Sequence, residues 1–158
     1  MYHILMVVIL DSIRSTYNVG SIFRTADAAG VEKIYLCGIT PQPIDRFGRL
    51  RPQFTKVSLG AEKTVPWERV KSASALIDRL KKEKYHIIAV EQDRRAVAYT
   101  KFRAPKKTAV IFGNEVSGIS NPILKKADKI IEIPMRGKKE SLNVSVAAGI
   151  IMFSILYS

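Results

Sequence analysis

Thr108-Ala109-Val110-Ile111-Phe112-Gly113-Asn114-Glu115-Val116-Ser117-Gly118-Ile119 is the stretch on which the fold turns. Thr108 to Phe112 is a short apolar, β-branched run with the length of a buried strand. Gly113 and Gly118 then bound a polar loop where backbone can come close to a ligand. It is not a phosphate loop. The G-x-x-x-x-G spacing is present, but Ile119-Ser120 stands where Lys-Ser/Thr is required. The chain also holds no G-x-G-x-x-G dinucleotide fingerprint.

The same strand-then-polar pattern recurs on both sides. Ile4 to Leu10 is β-branched and apolar, with Met6–Leu10 as its continuous core. Lys33–Cys37, Ile87–Val90 and Ile130–Ile133 read as further strands, which with Thr108–Phe112 makes five. Between them, Ile22, Phe23, Ala26 and Ala29 recur at helical spacing, with Asn18 as an N-cap and Gly30 as a stop. Helices are also predicted over Val70–Leu80, Ile123–Ala127 and Leu142–Leu156. Residues 38–66, punctuated by Gly and Pro, read as one long functional connection. Strands alternating with helices predict an α/β fold with a largely parallel sheet flanked by helices. The whole of residues 1–158 reads as a single domain with no extension domain. In such sheets ligands bind beyond the carboxyl ends of the strands.

Charge narrows the partner. Lys and Arg number 26 against 14 Asp and Glu, a net +12 on 158 residues, which asks for a polyanion: nucleic acid or a membrane surface. The excess is uneven. Residues 1–35 balance, 36–57 carry +3, 81–107 carry +6 and 121–140 carry +3. Basic segments that alternate with neutral ones suit loops on a folded scaffold rather than a basic tail, and they form no amphipathic helix for a membrane surface. Cys37 is the only cysteine, and His3 and His86 are the only histidines, so a disulfide framework and a metal site are not expected. No apolar run has membrane-span length, and Met1-Tyr2-His3-Ile4-Leu5 lacks a signal peptide's basic start, so a cytoplasmic protein is expected.

Three clusters follow strands. Asn18-Val19-Gly20-Ser21-Ile22-Phe23-Arg24-Thr25-Ala26 places Arg24 in an otherwise apolar helix, where it either pairs with a carboxylate such as Asp27 or does chemistry. The second cluster is Ile111–Ile119. The third runs Ile133-Pro134-Met135-Arg136-Gly137-Lys138-Lys139-Glu140-Ser141-Leu142-Asn143-Val144-Ser145, a basic glycine turn before the last helix. Ser141 there reads equally as that helix's N-cap, whereas Asn143 is less easily explained by packing.

Together the clusters resemble, in order, the three motifs of the SpoU (TrmH) family of RNA ribose 2′-O-methyltransferases in the SPOUT superfamily. Asn18-x-Gly20-x-x-x-Arg24-Thr25-Ala26 is similar to the first motif and Phe112-Gly113-Asn114-Glu115-x-x-Gly118 to the second. Ile133-Pro134-Met135-x-Gly137 with Ser141-Leu142-Asn143-Val144-Ser145 is similar to the third. The resemblance covers Leu10 to about Ile150. It implies a SPOUT fold with a C-terminal trefoil knot, S-adenosylmethionine as cofactor and a homodimer with the site near the interface. The cofactor would touch Val90, Glu91, Gly113, Asn114, Ile133, Met135, Ser141 and Leu142. Arg24 would be the catalytic centre, with Asn18, Glu115, Ser141 and Asn143 around it.

Arg24 is a poor general base, because a guanidinium has no lone pair to spare for a proton. A grip on the RNA phosphate and on the developing alkoxide suits it better, with proton removal passing to phosphate, water or Glu115. Glu115 is also expected to orient its loop across the interface. The resemblance implies RNA as substrate; a minimal single domain makes tRNA expected before rRNA, and Arg46, Arg49, Arg51, Arg94, Arg95, Arg136 and Lys138, all after strand ends, are expected to hold it. The all-apolar last helix is expected to be buried partly by a second copy. Two other readings keep the same fold: a silent RNA-binding module, and a methyltransferase acting on a base.

Overall fold

The computed structural model describes residues 3–158; Met1 and Tyr2, from the N-terminus read above for a signal peptide, lie outside the described residues. Among the described residues seven strands form one parallel sheet: β1 (Leu5–Asp11), β2 (Lys33–Cys37), β3 (Trp67–Val70), β4 (His86–Val90), β5 (Val97–Ala98), β6 (Lys107–Phe112) and β7 (Lys129–Glu132). Their order across the sheet is β3-β2-β1-β6-β4-β7-β5. Helices α1 (Thr16–Ala29), α2 (Pro52–Ser58), α3 (Ala61–Thr64), α4 (Ala73–Lys82), α5 (Asn121–Lys126) and α6 (Val144–Leu156) flank it.

Strand side chains alternate between two cores, as the two-residue period requires. Met6, Val8 and Leu10 of β1 join Val110 and Phe112 of β6 against α1 and α6. Val7 and Ile9 join Ala109 and Ile111 against α4 and α5. Burial on both faces explains why these strands read as continuous apolar runs.

Strands β3 and β5 were not expected, and the predicted helix start at Val70 falls instead on the last residue of β3. The long 38–66 connection contains α2 and α3, with Pro52 in the first turn of α2. Both extra strands lie at sheet edges. Glu68 and Arg69 interrupt the apolar pattern of β3, and β5 has only two residues, too few to show a period. Helix α6 begins at Val144 rather than Leu142, since Asn143 is its N-cap.

Helix α1 is fixed at both ends. Ser15, not Asn18, is its N-cap, accepting from the Asn18 amide at 3.1 Å. Gly30, at φ +88°, closes it in the left-handed conformation with its N–H on Ala26 and Asp27 carbonyls. Phe23 meets Phe54 of α2 edge-on, with ring centres 5.0 Å apart. Gly20 makes that approach possible: a Cβ there would lie 2.5 Å from Val57 Cγ2 and 2.9 Å from the Phe54 carbonyl oxygen. Gly20→Ala is therefore expected to force α1 and α2 apart at a cost of about 2 kcal/mol. Thermal denaturation should show a midpoint lower by roughly 4–8 °C.

Candidate active site

The carboxyl ends of β6, β4 and β7 lie side by side in the sheet, so the connections leaving them rise together. They enclose a cleft of about 610 Å³. Val90 and Glu91 reach it from β4, and Gly113, Asn114 and Glu115 from β6. Ile133, Met135, Ser141, Leu142 and Asn143 reach it from the connection between β7 and α6, and Asn18 from α1. Every residue expected to touch the cofactor thus lines one space.

Each connection is locked by its own polar groups. Asn114 Nδ2 donates to the Ser12 carbonyl at 2.8 Å, while its Oδ1 accepts from the Val116 and Ser117 amides, both at 2.9 Å. The Gly118 amide donates back to the Asn114 carbonyl at 2.9 Å. Gly118 has φ +68° and sits against Glu91, whose Oε2 accepts from the Ile119 amide at 2.7 Å. Glu91 thus ties the loop after β6 to the end of β4. Gln92, which sequence reasoning passed over, donates from Nε2 to the Ile133 carbonyl at 2.7 Å and joins the connections after β4 and β7.

A chain of side-chain hydrogen bonds joins the three clusters. Glu115 Oε1 accepts from the Arg14 amide at 2.8 Å, and Oε2 from the Ser15 amide at 3.1 Å and from Asn18 Nδ2 at 3.3 Å. Asn18 Oδ1 accepts from Asn143 Nδ2 at 3.3 Å. Asn143 Oδ1 in turn accepts from the Ser145 amide at 2.8 Å, capping α6. Asn18, only 8% exposed, is the hub. Ser141 lines the cleft but caps nothing: Asn143 takes the role that sequence left open to Ser141.

These contacts change what Glu115 can do. Burial pushes its carboxyl up, but donations from the amides of Arg14, Glu115 itself and Ser15, and from the Asn18 side chain, outweigh that and hold it below its ordinary 4.5. A carboxylate that already accepts from three neighbouring groups and has a lowered pKa is a weak proton acceptor. Glu115 braces the start of α1 within its own chain.

Arg24 does not line the cleft. It is exposed on α1, about 9 Å along the helix axis from Asn18 and some 240° around it. The pairing with Asp27 is not formed; Asp27 Oδ1 accepts from Thr64 Oγ1 at 2.7 Å. Arg136 and Lys138 are exposed in the connection that carries Met135 into the cleft. Arg46 and Arg49 are exposed between β2 and α2, and Arg51 Nε donates to the Ile44 carbonyl at 3.3 Å. Arg94 is exposed in the turn after β4. Arg95 departs from expectation: it pairs with Asp93 through two bonds of 2.9 Å and lies beside Asp128 and Lys129 at the opposite end of β7. That pair holds the Asp93 carboxyl down at about 2. The chain doubles back after β4 so that β5 can run parallel to β7, and this carries Arg95 away from the cleft.

Cys37 is buried, and its thiol is pushed up to about 12, first by burial and then by Asp11, so it offers no thiolate nucleophile. Among the described residues no group of His, Cys, Asp and Glu is placed to hold a metal, and no helix is long and apolar enough to cross a membrane.

Residues 5–153 match the SpoU rRNA Methylase family. The chain is 38% identical over 149 residues to a Staphylococcus haemolyticus protein assigned to the TrmH family of tRNA/rRNA methyltransferases, a match covering 94% of this chain and 57% of that protein. The chain thus spans little more than half the length of that relative. It superposes on the A. aeolicus TrmH/SpoU tRNA modifying enzyme with a TM-score of 0.81 at 31% identity, covering 94% of this chain and 72% of that one. For an AdoMet-bound rRNA methyltransferase from Sinorhizobium meliloti the TM-score is 0.84 at 28% identity, covering 95% of this chain and 55% of that one.

Because its folded pKa is lowered, Glu115 contributes stability that is complete above about pH 4.5 and is lost as pH falls through that lowered value. Glu115→Gln is therefore expected to be less stable than wild type at neutral pH, with the gap closing in acid. Urea denaturation across a pH series measures it.

Proposed function

The chain belongs to the SpoU rRNA Methylase family, and we propose that it is an S-adenosylmethionine-dependent RNA methyltransferase acting on a ribose 2′-hydroxyl. The observation that carries this reading is the Glu115–Asn18–Asn143 chain at the cleft rim. A silent binding module would have no use for a buried Asn18 carboxamide held in one orientation, with Asn143 and Glu115, beside a ligand-sized cleft.

The cleft suits the cofactor. Its volume lies in the range of small-molecule sites. Val90, Ile133 and Leu142 offer apolar walls to a flat base, and Gly113 lines the same space, its missing side chain letting the Gly118–Ile119 backbone close against it. Bound S-adenosylmethionine would supply the activated methyl on a sulfonium, so the protein's task is to place the ribose and stabilise its oxygen. With Glu115 engaged, the acceptor of the 2′-hydroxyl proton is RNA phosphate or water.

We place Arg24 at the phosphate beside the target ribose. Its distance from the cleft of its own chain fits a homodimer in which α1 and α6 face a second copy. Helix α6 buries Ala148, Ile151, Met152 and Ile155 against its own chain but leaves Val146 and Phe153 exposed. It runs beside α1, where Gly149 faces Thr25 and the Tyr157 hydroxyl donates to the Ala29 carbonyl. An outer face this apolar fits a second copy better than water. Arg24, exposed on α1 near that seam, could then serve the partner's cleft. Arg46, Arg49, Arg51, Arg94, Arg136 and Lys138 would add sequence-independent grip on RNA. The substrate we favour is tRNA, with rRNA second.

The deciding experiment is labelled methyl transfer to total tRNA and rRNA, followed by nucleoside mapping. A 2′-O-methylated nucleoside is expected; a methylated base, or no transfer, would overturn the reading. Arg24→Ala should lower transfer by about 10²–10³-fold with cofactor affinity intact. Wild-type turnover would remove Arg24 from the site. Light scattering should give twice the chain mass, and a monomer at micromolar concentration would refute the dimer.

A further inference from the structure

We propose that Phe47 is a stacking platform for an unpaired RNA base, an inference that rests on the RNA-methyltransferase reading above. Residues 44–50 fold back on themselves through an antiparallel bridge between Ile44 and Leu50. Asp45 builds the turn: its Oδ1 accepts from the Phe47 amide at 2.8 Å and the Arg49 amide at 3.0 Å. Its backbone exchanges two further bonds, with the Arg49 carbonyl and the Gly48 amide. Gly48 allows the tight reversal at φ +76°.

The turn is thus self-supporting, and the phenyl ring at its tip is not needed to hold it. Phe47 is 66% exposed. The guanidinium groups of Arg46 and Arg49 lie 4.9 and 5.4 Å from its ring centre. The one carboxylate in the turn, Asp45, is occupied by backbone amides. An exposed ring flanked by two unopposed cations fits a single nucleotide: the base stacks on the ring or a guanidinium plane, and the cations take adjacent phosphates.

The segment leading into this turn is tied to the one that meets Asn114 and Glu115. Thr40 Oγ1 donates to the Leu10 carbonyl at 2.8 Å and accepts from the Ile13 amide at 3.1 Å. Arg69 laces the same segment by donating to the Leu36, Gly38 and Thr40 carbonyls. The segment from Leu10 to Arg14 that anchors Thr40 also receives Asn114 and donates to Glu115. Phe47 is seven residues beyond Thr40, at most about 25 Å of chain. The platform therefore hangs from the cleft rim and engages a nucleotide flanking the target. Bases in a duplex are already stacked, so the substrate class it selects is a single-stranded loop.

Fluorescence anisotropy with a short mixed-sequence single-stranded RNA and its duplex tests this. Phe47→Ala is expected to lose about tenfold in single-strand affinity with duplex binding, salt slope and cofactor affinity unchanged. Phe47→Trp should keep single-strand affinity, and RNA should quench its emission beyond any change seen for Trp67, the only native tryptophan. Single-strand binding unaltered in Phe47→Ala, or no added quenching in Phe47→Trp, would overturn the platform while leaving the methyltransferase reading intact. A wild-type protein that neither binds RNA nor transfers methyl would remove both. A change in oligomer mass without loss of RNA affinity would put Phe47 in a protein interface and overturn the proposal.

Discussion

The carboxamide of Asn18 can satisfy both its neighbours in only one orientation. Its N–H must face Glu115 and its carbonyl oxygen must face Asn143. Those partners lie 97 and 125 residues away along the chain, so one buried side chain sets the relative positions of the β6 loop, the start of α1 and the start of α6. A carboxylate in its place would repel Glu115, and an apolar side chain would leave both partners without their bond. The two helix caps extend this constraint: Ser15 fixes where α1 begins, and Asn143 fixes where α6 begins. The cleft wall is therefore held by polar bonds with direction, whereas the cores beneath it are held by burial without direction.

The cleft itself follows from strand order. Because β6 lies between β1 and β4, with β7 next, the loops of all three clusters leave neighbouring strand ends. Glu91 and Gln92 then turn adjacency into rigidity, each with one bond to a loop that another strand supplies. Gly118 belongs to the same device: its φ is positive and the Glu91 carboxylate fills the space a side chain would need. The motif glycines thus answer to different neighbours, Gly20 to a helix and Gly118 to a carboxylate.

Much of this was legible beforehand where periodicity was strong. Met6–Leu10, Thr108–Phe112 and the Ile22–Ala29 spacing each announce one element type, and the placement of three clusters after strands points to one shared site. Trp67–Val70 does not, since Glu68 and Arg69 belong to an edge strand that water reaches. Arg95 follows a strand in sequence, yet it lies at the far end of β7, because a chain reversal cannot be seen in local pattern. The same limit hides the role of Glu115. A brace on the cap residue Ser15, supplied from about 100 residues away, has no sequence spacing to reveal it. Arg24 was legible as a residue type out of place in an apolar helix, but its separation from the cleft depends on helical phase and on what seats beside α1.

The position of β6 also governs how the chain comes to be folded. Strand β1 pairs with β6, so Leu5 meets Lys107 only after everything between them has been synthesised. Until residue 112 is available, β1 has an open edge and α1 lacks the carboxylate that braces its first turn. Pairing so distant in sequence must bear a large loop-closure entropy before any contact rewards it, which makes such sheets slow to form. The nascent chain thus carries an apolar, unpaired strand edge until β6 emerges, and the step that covers this edge is the same one that assembles the cleft.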